Sequence, residues 1–180
     1  MGVNQERCKI CRRFRENHEG AAETRSKALQ GIAQVEKYDQ IDRSGHLYGA
    51  IIASVREYIE VKKKGRYAEY NLAYAAHYIG DLSQPLHHTL YEDFNRRYHS
   101  KMDGIVNDEV LDNLDKIKVY PIEIKTEQDL AKEIARIANL SMVQCYKLED
   151  ESRLLTREET YNQLSHSSSL MKAVLDYLEK

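Results

Sequence analysis

The sequence has little glycine, little proline and no tryptophan. Its 180 residues include 8 glycines and 2 prolines, whereas charged residues make up 31%. A protein built from strands and tight turns draws heavily on the two turn-forming residues, so their scarcity argues against a sheet-rich fold. The composition therefore predicts an all-α protein, and the length predicts a single domain over residues 1–180.

Charge of one sign and long apolar runs are also lacking. The 27 lysines and arginines nearly balance the 29 aspartates and glutamates, giving a formal charge of -2. Such a balance predicts no general attraction to nucleic acid or to anionic lipid. No stretch approaches the roughly 18 consecutive apolar residues of a membrane span, and residues 1–14 carry no apolar run of the signal-peptide type. We therefore expect no transmembrane segment.

Cysteine is scarce as well. Cys8 and Cys11 form one Cys-x-x-Cys pair, and Cys145 lies far from both. A zinc ribbon needs a second such pair, and a thioredoxin-like redox site needs a βαβ context. We interpret the pair as two structural thiols one helical turn apart.

The apolar pattern predicts five helices after a helix-permissive N-terminal stretch whose first part, residues 1–20, is polar enough to pack loosely. They span approximately residues 44–64, 67–82, 98–117, 126–147 and 156–180. Gly65 and Pro85 are natural stops for the first two, and Thr126 and Thr156 resemble N-caps of the last two. A polar break or an exposed segment is expected around His166, because serines surround it.

The second predicted helix contains a stripe in which residues recur every three or four positions. The members of this stripe are Tyr70, Ala73, His77 and Asp81. Because such residues share one helix face, we expect the stripe to pack against neighbouring helices.

Two His-x-x-x-Asp pairs, His77/Asp81 and His99/Asp103, flank a predicted turn that begins after Pro85. Residues four apart on a helix lie on one face, so each pair can approach a single cation. Neutral imidazole with carboxylate is a ligand set that suits zinc. The pattern predicts a zinc site in the region 46–103.

Two adjacent histidines, His87 and His88, lie in the turn between the pairs. His87 can complete either pocket. Neighbours in sequence seldom share one ion, so we expect His88 to point away and to support the packing or contact a substrate phosphate.

Three segments resemble the zinc-dependent phospholipase C family of bacteria and, more distantly, the fungal single-strand-specific zinc nucleases that share its fold. HYIGDLSQPLH at 77–87 resembles the family's HYxGDxxQPxH core. YHSKMD at 98–103 is similar to its FHSKYE segment, with Asp in place of Glu, and GHLY at 45–48 is similar to the segment that supplies an earlier histidine ligand. The resemblance implies a multi-helix bundle of this type.

The resemblance also implies two or three zinc ions. One would be held by His87, His99 and Asp103, and a second by His46, His77 and Asp81. The second would take a further carboxylate from upstream, where the candidates are Glu36, which we favour slightly, Asp39 and Asp42. A third zinc in the family uses an N-terminal tryptophan that this sequence lacks, and His18 is the only histidine upstream of His46.

By resemblance, the activity is phospholipase C-like hydrolysis of a phosphodiester, with a metal-bound hydroxide rather than a side chain as nucleophile. Asp81 would bridge cations, and an upstream carboxylate, Glu36 or Asp39, would act as general base. The substrate would be a phospholipid head group or single-stranded nucleic acid. The short gap of 12 residues from His87 to His99, together with the His-Ser-Lys triplet at 99–101, favours the phospholipase branch over the nuclease branch.

Two alternatives remain, namely a single-strand nuclease-like phosphodiesterase and a non-catalytic helical protein that keeps a structural zinc. The resemblance implies export, while the chain shows no signal peptide, so a cytoplasmic location stays open. The pattern does not predict an oligomeric state.

Overall fold

The computed structural model describes residues 47–89 and 93–179. These residues form five α-helices and two short 3-10 helices, with no strand among them, which confirms the all-α prediction. In chain order they are α1 (Leu47–Lys63), α2 (Glu69–Ser83), a 3-10 helix (Pro85–His88), α3 (Asp93–Asp103), a second 3-10 helix (Leu111–Lys116), α4 (Glu127–Asp150) and α5 (Arg157–Leu178). None of the helices in these ranges is long and apolar enough to span a bilayer. The predicted N-terminal arm, residues 1–20, lies outside the described residues, so the single-domain prediction stays a prediction.

The main core lies between α1, α2, α4 and α5. Each helix contributes a stripe of fully buried aliphatic side chains, which include Ile51, Ile52, Ile79, Leu82, Leu130, Ile134, Ile137, Leu170 and Val174. Burying one such side chain stabilises the fold by about 1.5–3 kcal/mol. At the margin of this core, Arg56 of α1 donates two hydrogen bonds of 2.5 Å to the carboxylate of Glu127 in α4.

A second, smaller apolar cluster joins the first 3-10 helix to α3 and α4. Its buried members are Leu86, Met102, Cys145, Leu148 and Leu155, with Phe94 and Tyr98 packed against them. The cluster holds α3 beside the 3-10 helix, and both elements carry candidate ligands.

Gly65 ends α1 in the way the sequence predicted. It has φ +66°, and its N–H donates to Lys62 O at 2.9 Å while Arg66 N–H donates to Val61 O at 3.2 Å. This pair of bonds is the Schellman motif, which needs a left-handed residue after the helix. Glycine adopts that conformation without a steric penalty.

The starts of α4 and α5 are capping boxes, as expected for Thr126 and Thr156. In each, the threonine hydroxyl accepts from the backbone N–H three residues on, and the acid there, Asp129 or Glu159, accepts from the threonine N–H. Arg153 also donates two hydrogen bonds to Glu159, and this cation is the main reason that the Glu159 pKa falls to about 2.

The prediction of a helix over 98–117 was wrong at both ends. Helix α3 begins earlier, at Asp93, and ends at Asp103, after which residues 104–110 form turns. Gly104 follows the last helical residue, and Asn113 interrupts the later 3-10 helix with φ -132° and ψ 32°. Glycine and asparagine are weak helix formers, which accounts for the break.

The expectation that the stripe on α2 faces neighbouring helices was also wrong. Tyr70 is 70% exposed, and Ala73 and His77 are exposed too. The buried stripe consists instead of Ala75, Ile79 and Leu82. Helix α2 carries tyrosine and alanine on several faces, so its apolar periodicity alone does not single out the packed face.

The expectation of a polar break or an exposed segment around His166 was wrong, because residues 165–169 lie in the middle of α5 and none of them is exposed. Ser165 Oγ accepts from Lys118 N–H at 2.9 Å, and Ser169 Oγ accepts from Tyr120 N–H at 3.0 Å. Residues two apart on an extended chain advance about 6.6 Å, and residues four apart on a helix advance about 6 Å. The spacing of the two backbone N–H groups therefore matches the spacing of the two serine hydroxyls. The serines of α5 thus bind an extended segment of the chain that runs along the helix.

Candidate metal centre

Three elements bring the predicted ligands to one end of the bundle. The last turns of α2 carry His77 and Asp81, the first 3-10 helix carries His87, and α3 carries His99 and Asp103. The turn between α2 and the 3-10 helix is set by Gln84, whose Oε1 accepts from Leu86 N–H at 3.2 Å, with Pro85 as the first residue of the 3-10 helix. This local geometry moves His87 away from the axis of α2.

His87, His99 and Asp103 form a cluster of possible metal ligands. One donor atom from each lies within 4.8 Å of the other two. His99 Nε2 is 3.6 Å from Asp103 Oδ2, and His87 Nε2 is 4.0 Å from Asp103 Oδ1. Ligand atoms on one tetrahedral zinc lie roughly 3.3 Å apart, given bonds of about 2 Å. The two distances to Asp103 exceed this value by about 0.3 and 0.7 Å, so side-chain movements of about 1 Å would bring the three groups onto one ion.

Asn95 orients His99 from one turn earlier on α3. The Asn95 side chain is 2% exposed, and its Oδ1 lies 2.7 Å from His99 Nδ1. Its Nδ2 donates to Leu86 O at 2.5 Å and to Thr89 O at 3.2 Å. Asn95 was not among the predicted site residues, although its position four residues before His99 places both on one helix face.

Gln84 contacts Asp103 in a comparable way. Its Nε2 donates to Asp103 Oδ1 at 2.5 Å while its Oε1 accepts the Leu86 N–H. One side chain thus holds the turn that presents His87 and one oxygen of a carboxylate ligand. The sequence motif contained Gln84, but no role was predicted for it.

Asp81 lies between two imidazoles. Its Oδ2 is 3.5 Å from His77 Nε2, and its Oδ1 is 3.5 Å from His87 Nδ1. The Asp81 and His87 side chains are about one-fifth exposed, whereas His77 is nearly half exposed, at 46%. The structure therefore brings His77, Asp81, His87, Asp103 and His99 into one chain of alternating imidazoles and carboxylates.

His88 contacts a different part of the protein. It is 7% exposed, its Nε2 lies 2.6 Å from Leu82 O, and its Nδ1 lies 3.1 Å from the Tyr48 hydroxyl. A carbonyl oxygen only accepts, so Nε2 donates to it, and Nδ1 of the neutral ring accepts from Tyr48. The ring supports the packing, in agreement with the expectation that it does not share an ion with His87.

The other predicted site residues lie outside the described residues. These are His46, the upstream carboxylates Glu36, Asp39 and Asp42, and also Cys8, Cys11 and His18. The second zinc, the third zinc and the general base therefore stay predictions.

Comparison with known proteins adds no relative to this picture. No protein-family model matches the chain, and no significant match was found among curated proteins or solved structures. The fold and site describe an all-α protein with a candidate metal centre of two histidines and one aspartate.

Proposed function

We propose that this protein is a zinc-dependent phosphodiester hydrolase with a fold and activity of the phospholipase C type. The observation that carries the proposal is the convergence of His87, His99 and Asp103, whose donor atoms lie within 4.8 Å of one another. The motif resemblance at 77–87 and 98–103 supports the choice of metal and reaction. A zinc in this cluster has three protein ligands, which is typical of catalytic sites, whereas structural zinc takes four.

The donor set fits zinc better than the hard cations. Two imidazole nitrogens and one carboxylate oxygen suit zinc, while magnesium and calcium prefer oxygen ligands throughout. The exposed fraction rises from about one-fifth at His87 and His99 to 42% at Asp103. The ligands thus line a position that a substrate can reach from solvent.

When bound, zinc polarises a phosphoryl oxygen and lowers the pKa of a water molecule towards neutrality. His87, His99 and Asp103 hold the ion, Asn95 and Gln84 orient two of these ligands, and Asp81 faces His87 Nδ1. By resemblance, Asp81 would also hold a second zinc together with His46 and His77. The upstream carboxylate, Glu36 or Asp39, would then take the proton from the attacking water.

The first experiment is turnover of bis(p-nitrophenyl) phosphate by EDTA-treated protein after zinc is added back. We expect zinc-dependent hydrolysis that falls by more than about 100-fold in Asp103→Asn, because removal of a ligand exceeds the effect of losing an orienting partner. Asp108→Asn is the matched control, since Asp108 is an exposed aspartate on the turn that follows α3. Equal turnover in wild type and Asp103→Asn would refute the proposal.

The same assay tests the mechanism assigned to Asp81. We expect Asp81→Asn to lose most of the zinc-dependent turnover. The amide is neutral, and it has one acceptor oxygen where the carboxylate has two. Zinc bound tightly by wild-type protein with no hydrolysis of any phosphodiester would instead support the non-catalytic alternative, a helical protein with a structural zinc.

A row of exposed tyrosines favours the nuclease-like alternative for the substrate. Tyr67, Tyr70 and Tyr74 are 71%, 70% and 56% exposed. Tyr67 precedes α2, and Tyr70 and Tyr74 lie on α2 ahead of His77. Aromatic side chains of this kind stack on the bases of single strands. Hydrolysis of phosphatidylcholine vesicles and of single-stranded DNA, measured side by side, separates the two substrate classes.

A further inference from the structure

We infer that Asn95 is a positioning residue that fixes the tautomer of His99, so that the Nε2 lone pair faces the position shared with His87 and Asp103. The inference rests on the metal site of the proposed function, and it goes beyond that function by assigning a role to a buried amide. It follows from which atoms surround the Asn95 side chain.

The orientation of the Asn95 amide is determined by its neighbours. Nδ2 lies within hydrogen-bonding distance of three oxygens, namely Leu86 O at 2.5 Å, Thr89 O at 3.2 Å and Thr89 Oγ1 at 3.1 Å. Two of these are carbonyls, which only accept, so the amide nitrogen must face them. The amide oxygen therefore faces His99.

The amide oxygen determines the tautomer of His99. Oδ1 of Asn95 has no proton to donate, so His99 Nδ1, at 2.7 Å, must carry one. In the neutral ring, Nε2 then holds the lone pair that a metal needs. Nε2 is also the atom that lies 3.6 Å from Asp103 Oδ2.

His88 provides a contrast, because its surroundings favour the other tautomer. Its Nε2 lies 2.6 Å from Leu82 O and must carry the proton, so the neutral ring of His88 has the opposite tautomer. Two histidines in one small region are thus held in different tautomers by oxygen acceptors at different ring nitrogens. The acceptor at His99 comes from Asn95.

Asn95 also connects His99 to the segment that carries His87. Its donor bonds reach Leu86 and Thr89, on either side of His87, and Thr89 Oγ1 accepts from Cys145 Sγ in α4 at 3.2 Å. A buried amide with its polar atoms satisfied has one favourable orientation, because any rotation leaves buried groups unpaired. The same bonds therefore set the distance between the two histidine ligands.

The first test is NMR of metal-free protein, in which long-range ¹H–¹⁵N spectra of the imidazoles distinguish the two tautomers. The protein is kept in EDTA at a pH where the rings are neutral. We expect His99 to carry its proton on Nδ1 in wild type and in Asn95→Asp, which keeps the oxygen acceptor. We expect a mixture of tautomers in Asn95→Leu, which removes it. An unchanged His99 spectrum in folded Asn95→Leu would overturn the inference.

The second test is zinc affinity, measured by competition with a chromogenic chelator. We expect Asn95→Leu to bind zinc about 10–100-fold more weakly, as is typical when an orienting partner is lost. Asn95→Asp should bind zinc more tightly than Asn95→Leu, because the carboxylate still accepts from His99 Nδ1, although its second oxygen replaces the donor that faces Leu86 O and Thr89 O. Equal affinities in wild type and Asn95→Leu, or equally weak binding in both variants, would contradict the inference.

Thr89→Val separates positioning from stability. This variant removes one acceptor of the Asn95 amide and the partner of Cys145, but leaves the bond to His99, so it should lower the melting temperature and keep the wild-type tautomer. If Asn95→Leu does not fold, a changed tautomer in Thr89→Val counts against the assignment and an unchanged one supports it. Neither measurement needs a substrate, so zinc binding without hydrolysis would refute the proposed function and leave the role of Asn95 intact.

Discussion

The imidazole rings of His87 and His99 lie nearly parallel, with centroids 5.0 Å apart and planes at 11°. One ring comes from the first 3-10 helix and the other from α3, and each presents Nε2 to Asp103. A cation bound by a nitrogen of each ring and by Asp103 would join the 3-10 helix to α3. These two elements also meet through a small apolar cluster and the Asn95 amide. Metal binding and stability should therefore be linked at this end of the molecule.

We expect zinc to raise the melting temperature of the protein. An ion that binds only the folded state adds about 2.7 kcal/mol at a concentration 100 times its dissociation constant. His99→Ala should lose this stabilisation. His77→Ala should retain the part of it that comes from an ion at His87, His99 and Asp103, because His77 contacts Asp81 and is not part of that cluster. Thermal unfolding with and without zinc measures this rise in melting temperature for each variant. Loss of the whole rise in both variants would point to a different zinc site.

His88→Leu should lower the stability of the protein and leave its zinc binding unchanged. Removal of the ring takes away the donor to Leu82 O and the acceptor of the Tyr48 hydroxyl. Leu82 O keeps the bond from Ser141 Oγ at 3.1 Å, so we expect a loss of about 0.5–1.5 kcal/mol for each bond removed. The zinc stoichiometry should not change. Urea unfolding and metal analysis of the same samples test both statements, and a loss of bound zinc would show that His88 has a part in the metal site.

Gly65→Ala and Gly80→Ala form a matched pair of substitutions. Neither added methyl group meets an atom within 4 Å, but Gly65 has φ +66° whereas Gly80 lies inside α2. We expect Gly65→Ala to destabilise the protein by about 1 kcal/mol and Gly80→Ala to stabilise it by about 0.5–1 kcal/mol. Urea unfolding measures the change in the free energy of unfolding for each variant. Two changes of the same sign would contradict the argument from backbone conformation.

Stability should fall as the pH is lowered through the range in which His166 titrates. Burial is the main cause that lowers the His166 pKa below 6.5, and the charge of Arg136 lowers it further. Tyr120 contacts both, with its hydroxyl 2.5 Å from His166 Nδ1 and 2.9 Å from Arg136 Nη2. Below pH 6.5 the unfolded chain binds the proton more readily than the folded protein, so this contribution is fully present above pH 6.5 and is lost on acidification.

The comparison of wild type with His166→Gln isolates this effect. Urea unfolding at pH 7.5 and at pH 5.5, with EDTA present, should show a larger loss of stability on acidification in wild type than in the variant. A larger loss in His166→Gln would contradict the sign of the pKa shift.

Features that depend on neighbours within a few residues could be predicted from the amino-acid sequence alone. Gly65 ends α1 because only a left-handed residue completes its last turn, and Thr126 and Thr156 begin helices because their hydroxyls meet N–H groups three residues on. The spacing of His99 and Asp103 likewise places both on one face of α3 wherever that helix lies. These features follow from backbone geometry and short-range hydrogen bonds.

Which of these groups meet depends on tertiary packing. His87 approaches His99 because Leu86 and Met102 pack in one apolar cluster, a contact between segments that local preferences do not specify. Helix α2 packs through Ala75, Ile79 and Leu82, which leaves Tyr70 exposed. His88 contacts Tyr48 of α1 and lies away from the ligand cluster. Helical spacing is periodic and local, whereas the convergence of ligands from α2, the 3-10 helix and α3 depends on how side chains far apart in sequence fill a shared core.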